Sequence, residues 1–367
     1  MRAIGIDDVT TRLSEHGLAY LELDLPSGGR LLVSQRGGRL MPFLPSGESV
    51  LWLSPALGDS EAFAAFLRRD DWNLGGERLW IAPEIQFTIR DRRDFWGSYA
   101  LSPAMDPGDW TLEAADGGRA CVLRQEAELP AYNLASGRKR LAVERHVRPA
   151  LDPLRARGAV AGTVEGVTFH GYENDIVLRE LEPNDIGAQA WSLIQLNPGG
   201  WVHLPTLSSV TPREYFEPVR AEHRWSVPDA LELSITGAHR YKVGVDARQH
   251  LGRVAYLRPL DATRACLIVR SFFNNPSSDY LEEPADRPGV SGDSIHVYND
   301  DGNAGGFGEI ECYGQALGGE GRRTTAADTT ALWIYHGHPA AITEVAQRLL
   351  GERVAQRAAA RLTGAGA

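Results

Sequence analysis

Lysine is almost absent from this chain. It occurs only at Lys139 and Lys242, so arginine carries nearly all the positive charge. Acidic residues outnumber basic ones, and the net charge is −10. Affinity for nucleic acid rests on clustered Lys and Arg, so no nucleic-acid partner is expected. The clusters Arg138-Lys139-Arg140 and Arg322-Arg323 are short and read as solvated loop charge. Cysteine is scarce too. Cys121, Cys266 and Cys312 are odd in number, far apart and form no Cys-x-x-Cys pair. That argues against a disulfide framework and against a zinc ribbon. Each sits in an apolar, strand-like run, where a free thiol behaves as a small hydrophobe. No apolar run approaches the ~20 residues needed to span a bilayer. The first residues, "MRAIGIDDVTTRL", lack an apolar core of signal-peptide length. A cytoplasmic protein with no membrane partner is expected, as a monomer or homodimer.

Several catalytic signatures are also missing. There is no G-x-x-x-x-G-K-[ST], no G-x-S-x-G, no H-E-x-x-H and no dinucleotide fingerprint. ATP hydrolysis, serine-esterase chemistry and zinc-protease chemistry are therefore not expected, and no cofactor or metal is assigned.

What is present is alternation. In "AYLELDL", Leu21, Leu23 and Leu25 point one way, with Glu22 and Asp24 opposite. "VLRQEAEL", "LAVERHV", "LELSI", "RVAYL", "ACLIVRSFF", "SIHVYN" and "EIECYG" behave similarly. Period two, broken by Gly, Pro, Asn and Asp, marks antiparallel strands. The regular strand-helix alternation of an α/β chain is missing. The reading is all-β: one large sandwich of two packed sheets spanning 1–367, with a few short helices. One helix is expected over 61–69, where Phe63, Phe66 and Leu67 share a face. Another runs from Pro339 to about 362, with Ile342, Val345 and Leu349 on one stripe. The tail "TGAGA" should fray. The stretch 274–293 resists a strand reading and forms a long loop, of a length that is often functional.

Three segments hold candidate chemistry. In "GGERLWIAPE", 75–84, the glycines suit a turn that feeds a short extended piece presenting Arg78, Trp80 and Glu84. An indole stacks on the apolar face of a pyranose, and charged groups bond strongly to hydroxyls. A packed Trp beside a structural Arg–Glu pair is the plainer reading of the same residues. In "IHVYNDDGNAGGFGEIECYG", 295–314, the glycine-rich stretch fits turn chemistry better than a calcium loop. After it, Glu309, Glu311 and Tyr313 share one strand face, and Ile310 and Cys312 the other. Carboxylates two residues apart on a strand lie roughly 7 Å apart. Facing a cavity, they would repel and one would gain a raised pKa; facing solvent, they would be decoration. In "AWSLIQLNPGGWVHLPT", 190–206, Trp191, Gln195, Trp201 and His203 lie close in sequence and suit a polyhydroxylated ligand. His170 in "FHGYEND" is a lesser candidate.

These segments, with "YKVG", "SFFNNPSSDY" and a closing "LWIYHG", resemble in order a bacterial family related to the galactose mutarotase-like, or aldose 1-epimerase-like, proteins. The resemblance spans about residues 15–337. It implies a supersandwich of two large, curved antiparallel sheets, with a sugar site in the concave face of one. It brings Asn274 and Tyr298 into the candidate binding set. In aldose 1-epimerases a glutamate takes the anomeric proton and a histidine protonates the ring oxygen. By position the glutamate is similar to Glu309 or Glu311, and an early arginine to Arg78. The histidine does not carry over. The comparable strand here reads "WSLIQL", and a Gln side chain is no useful acid. His203 or His170 would have to supply the proton from another direction. The expected ligand is a small carbohydrate, a sugar or sugar acid, handled by general acid–base catalysis. Non-catalytic sugar binding stays open, as does hydrolysis or lyase chemistry with Glu84 opposed to Glu311.

Overall fold

The structure is a computed structural model and describes residues 4–156, 158, 164–319 and 323–364. Arg322 and the last three residues of the tail lie outside the described residues. The alternating segments build two large antiparallel sheets. The first has nine strands, in the spatial order Tyr20–Asp24, Arg30–Ser34, Arg39–Phe43, Glu77–Ala82, Gln189–Leu196, Gly308–Tyr313, Ile295–Asn299, Tyr241–Val245 and Arg213–Glu214. The second has ten, and its long strands Gly137–Pro149, Val167–Glu180 and Thr325–Gly337 run side by side. The main core lies between the sheets, where Leu31, Ile81, Ile194 and Ile310 meet Leu123, Leu178, Val254 and Leu332. All three cysteines are free and buried.

The stretch "GGERLWIAPE" is more than a turn with a short extended piece. Glu77–Ala82 is a buried strand inside the first sheet, paired to Gln189–Leu196 over its whole length. Gly75 and Gly76 carry the chain into it at φ 98° and 77°. A Cβ at Gly75 would meet the Trp52 carbonyl and Leu53 Cα at 2.5 Å, so the entry admits only glycine.

Parity then divides the strand. Glu77 faces the second sheet. There its carboxylate, fully enclosed, accepts from Arg270 Nη1 at 2.7 Å and Tyr172 Oη at 2.6 Å, with Arg145 Nη2 at 3.3 Å. Arg78 and Trp80 face the other way, and this outer face carries the candidate site.

The helix expected near 61–69 is Ser60–Arg68, with Phe63 and Phe66 buried. The C-terminal helical run consists of two helices, Pro339–Leu350 and Glu352–Thr363, which meet at Gly351 with φ 97°. Both pack on the outer face of the second sheet. One helix was not anticipated. Ile6–Glu15 buries Ile6, Val9 and Leu13, whose i, i+3, i+7 spacing is a helical period that could have announced it. Among the described residues no helix is long and apolar enough to cross a membrane.

Candidate functional site

Five adjacent strands of the first sheet present their outer-face side chains to one cavity of ≈ 300 Å³. Glu77–Ala82 supplies Arg78 and Trp80, and Gln189–Leu196 supplies Trp191. Gly308–Tyr313 supplies Glu309 and Glu311, while Tyr298 and Lys242 come from the next two strands. Register brings them together: Trp80 pairs with Trp191, and Glu309 with Tyr298. Loops add Trp72, Trp96, Tyr99, Phe216 and Phe307 as walls. Trp96 stands at the mouth, 49% exposed, packed against Phe216.

The two glutamates differ in what holds them. Glu309 Oε1 accepts from Arg78 Nη1 at 2.7 Å, and no hydrogen bond from a described residue reaches Oε2. Glu311 Oε2 is saturated. It accepts from Trp191 Nε1 at 2.9 Å, lies 3.0 Å from Lys242 Nζ, and accepts from Tyr313 Oη at 3.2 Å. Lys242 also donates to Glu84 Oε2 at 2.9 Å, so one ammonium bridges two carboxylates. Glu282 reaches in from the loop 274–293 and accepts from the backbone N–H of Glu84 and of Ile85.

The indoles are partly spoken for as well. The Arg78 guanidinium lies 4.2 Å from the Trp80 ring centroid and 5.0 Å from that of Trp72. Lys242 Nζ lies 4.7 Å from the Trp191 ring. Such cation–π contacts hold the charges without hydrating them. Trp80 donates its Nε1–H to Asp106 at 2.8 Å, which also pairs with Arg39 at 2.6 Å. Trp80 and Trp191 are both almost fully buried. They form the floor of the cavity, and the reachable aromatic surface belongs to Trp72, Trp96, Tyr99, Phe216 and Tyr298.

Burial sets the protonation of this cluster. It pushes Glu309 up to about 7 against the pull of Arg78, and neighbouring Glu311 adds to the rise. It pushes Glu282 up to about 8, opposed by Lys242 and reinforced by Glu84. Glu84 is raised for the same first reason. Burial would strip Lys242 of its proton, but Glu311 and Glu84 outweigh it and keep the amine charged. His296, behind Glu311, is held neutral by burial and by Lys242.

Of the residues singled out by sequence, Arg78, Trp80, Glu84, Trp191, Tyr298, Glu309 and Glu311 converge on this cavity. The others are placed elsewhere. His203 lies on the outer face of the second sheet, 3.7 Å from Glu232, which the C-terminal helix grips through Arg357 and Arg361. Burial lowers His203 to about 4, so it is neutral. Trp201 sits on that same strand with Arg361 5.1 Å from its ring. His170 is also in the second sheet, where Nδ1 donates to the Pro26 carbonyl at 2.8 Å and Nε2 meets His336 at 2.9 Å. Neither histidine reaches the cavity, because alternation and sheet membership carry both to other surfaces. Asn274 clamps a turn, donating to the carbonyls of Ala247 and His250. Gln195 is on the correct strand but is covered: it donates to Asn73 at 2.9 Å beneath the 300–307 turn. That turn is closed by Asp300 Oδ2, which accepts from the N–H groups of Gly302, Ala304 and Gly306.

Sequence reasoning overlooked Lys242, Glu282, Trp72, Trp96, Tyr99 and Phe216. Lys242 did leave a signal. In a chain that uses arginine almost throughout, a lysine within "YKVGV" is conspicuous. Both lysines are in fact enclosed and paired, Lys139 with Glu180. Lys242→Met should cost about 3–5 kcal/mol of stability, because Glu84 and Glu311 are left buried without a cation. The loss should be larger at pH 8 than at pH 5, where protonation relieves the repulsion. Denaturant titrations at the two pH values check this. Equal losses at both would show that the ammonium is not the balancing charge.

Among the described residues no group of three or more His, Cys, Asp or Glu is arranged to hold a metal ion. No family model and no curated protein matches the chain. Among solved structures it is similar to a "putative aldose 1-epimerase" from Escherichia coli K12. That structure is 12% identical with a TM-score of 0.47, over 87% of this chain and 99% of the other. It is similar to a galactose mutarotase-like protein from Lactobacillus casei, 10% identical with a TM-score of 0.42, over 87% of this chain and 100% of the other. A "putative aldose 1-epimerase" from Klebsiella pneumoniae is 11% identical with a TM-score of 0.45, over 89% of this chain and 82% of the other. These are resemblances of fold.

Proposed function

We propose that the cavity binds a sugar or sugar acid and interconverts its anomers by general acid–base catalysis. The observation that carries this reading is Glu309, enclosed among aromatic rings with one oxygen on Arg78 and the other open. A carboxylate raised to about 7 by burial is matched to proton transfer at neutral pH. Glu309 takes the anomeric hydroxyl proton. The ring C–O bond breaks as the ring oxygen is protonated, and the carbonyl closes again on either face. With both candidate histidines outside the cavity, Tyr99 is the donor assigned to the ring oxygen. Tyr99 lines the cavity and its hydroxyl makes no hydrogen bond to a described residue; burial, with Glu84, holds the phenol protonated and well above its usual range. Glu311 and Lys242 fix the floor.

Two neighbouring readings draw on particular observations. Sugar binding without turnover is favoured by the placement of His203 and His170 on the second sheet. Hydrolysis by Glu84 and Glu311 is disfavoured, since Lys242 fills the gap between them and bonds to both.

A panel of hexoses and hexuronic acids, read by melting temperature and by anomer exchange in NMR, tests the proposal. A ligand at 100 times its Kd should stabilise the fold by about 2.7 kcal/mol. Binding together with faster exchange is expected. Binding without faster exchange moves the assignment to the non-catalytic reading, and a panel with no shift at all sinks both.

A further inference from the structure

Resting on that reading, we infer that the cavity selects a sugar carrying a protonated amine, a hexosamine, over neutral hexoses and over sugar acids. Charge and hydrogen-bonding capacity are both unmatched in the same enclosed space.

Among the described residues lining the cavity, Glu84, Glu309 and Glu311 meet two cations, Arg78 and Lys242. Glu282 adds a further carboxyl directly behind Glu84. Both cations are committed. Arg78 Nη1 is on Glu309, and Lys242 is shared between Glu84 and Glu311. Arg78 Nε is enclosed and reaches no partner, while Nη2 makes no hydrogen bond to a described residue. A ligand carboxylate would therefore join a cluster whose carboxyl groups already outnumber its cations. Even bound on Arg78, a uronic acid would add a buried negative charge with no further cation to balance it, at high cost.

The open capacity is of the opposite kind. Glu309 Oε2 and Glu84 Oε1 accept no hydrogen bond from the described residues, although their partner oxygens do. Two carboxylate oxygens facing a shared cavity ask for donors. A hydroxyl group offers one, whereas an ammonium offers three together with the missing positive charge. Bonds between ionised partners are roughly twice as strong as neutral ones. The walls agree with this. Ring faces attract cations, and while Trp72, Trp96 and Phe216 already carry Arg78, Arg240 and Lys242, Tyr99 and Tyr298 line the same space with no cation of a described residue over them. The raised values of Glu309 and Glu282 reflect the same shortage: without a cationic ligand, protons make up part of it.

The Tyr99 hydroxyl supplies the complementary donor for a sugar oxygen. The recognised pattern is therefore an ammonium near Glu309 and Glu84, and ring or hydroxyl oxygens near Tyr99.

Isothermal titration at low ionic strength, at a pH where the amine is protonated, decides the matter. The probes are glucosamine and galactosamine, their N-acetyl forms, the parent hexoses and galacturonic acid. The amines should bind roughly tenfold or more tightly than the parent hexoses, as expected for charged hydrogen bonds. Acetylation, which removes the charge, should abolish that margin. Glu309→Gln should shrink it. Since the acetyl comparison uses the unaltered protein, the test survives a variant that fails to fold. Equal affinity for hexose and hexosamine, or tighter binding of galacturonic acid, overturns the inference while leaving sugar binding intact. Failure of every probe to bind overturns the functional reading with it.

Discussion

Glu309→Gln is expected to abolish sugar turnover while leaving ligand binding in place. Loss of a general base typically costs about 10²- to 10⁴-fold in rate. Glutamine keeps the shape and a carbonyl oxygen for Arg78 but has no basic lone pair of use. For a neutral hexose the effect should therefore fall on kcat rather than on Kd, and stopped-flow polarimetry with titration of the same ligand separates the two. Glu311→Gln should behave differently. It weakens an anchor held by Trp191, Lys242 and Tyr313, so stability and affinity should fall along with rate. If Glu309→Gln turns over at the rate of the unaltered protein, Glu309 is not the base.

The pH dependence gives this assignment a second handle, because activity and stability should move in opposite directions. Glu309 must be ionised to act, so kcat/KM, which reports the free enzyme, should rise with a midpoint near its value of about 7. For stability the sign reverses. Its folded value lies above the ordinary carboxylate range, so between that range and about 7 the native state holds a proton that the unfolded chain has released. Stability then falls as pH rises through that window. Glu309→Gln removes the group and should flatten the activity curve and make the stability curve less steep there, the raised Glu282 and Glu84 supplying the slope that remains. Melting temperatures of the two proteins from pH 4 to 8 measure it.

Glu77→Gln should produce the largest loss of stability of any single change considered, about 3–5 kcal/mol. Glu77 is sealed between the sheets and accepts six hydrogen bonds from five side chains, Arg145, Arg270, Tyr172, Asn174 and Ser192, with Arg270 binding twice. Burial alone would raise its pKa, but Arg270 and Arg145 outweigh that and hold it below the usual range. A depressed acid stabilises the fold above its unfolded value and loses that contribution as pH falls through the folded one. Glu77→Gln leaves two buried guanidinium groups without a counter-charge. Urea titration measures the loss. A loss below 1 kcal/mol, as for an exposed ion pair, would mean that the sheets relax around the two arginines.

Side-chain parity along each strand was legible because it is local. Glu309, Glu311 and Tyr313 had to share one face, and Ile310 and Cys312 the other, whatever they packed against. Low lysine content, the free cysteines and the placing of Gly75 and Gly76 before Arg78 and Trp80 could likewise be read directly. Two large antiparallel sheets followed from the number and spacing of alternating segments.

What the chain order does not encode is which face turns inward and which distant strand lies alongside. Glu77 and Arg78 are neighbours with similar credentials, yet one locks the sheets together and the other lines the cavity. His203 and Trp191 stand twelve residues apart and end on different sheets. Lys242 reaches Glu311 only because the Ile295–Asn299 strand lies between theirs, and Glu282 arrives from a loop with no periodicity to read. Alternation fixes the parity of side chains within a strand. The pairing of strands remote in sequence decides which charges are shut in together, and a charge takes its pKa and its chemistry from that company.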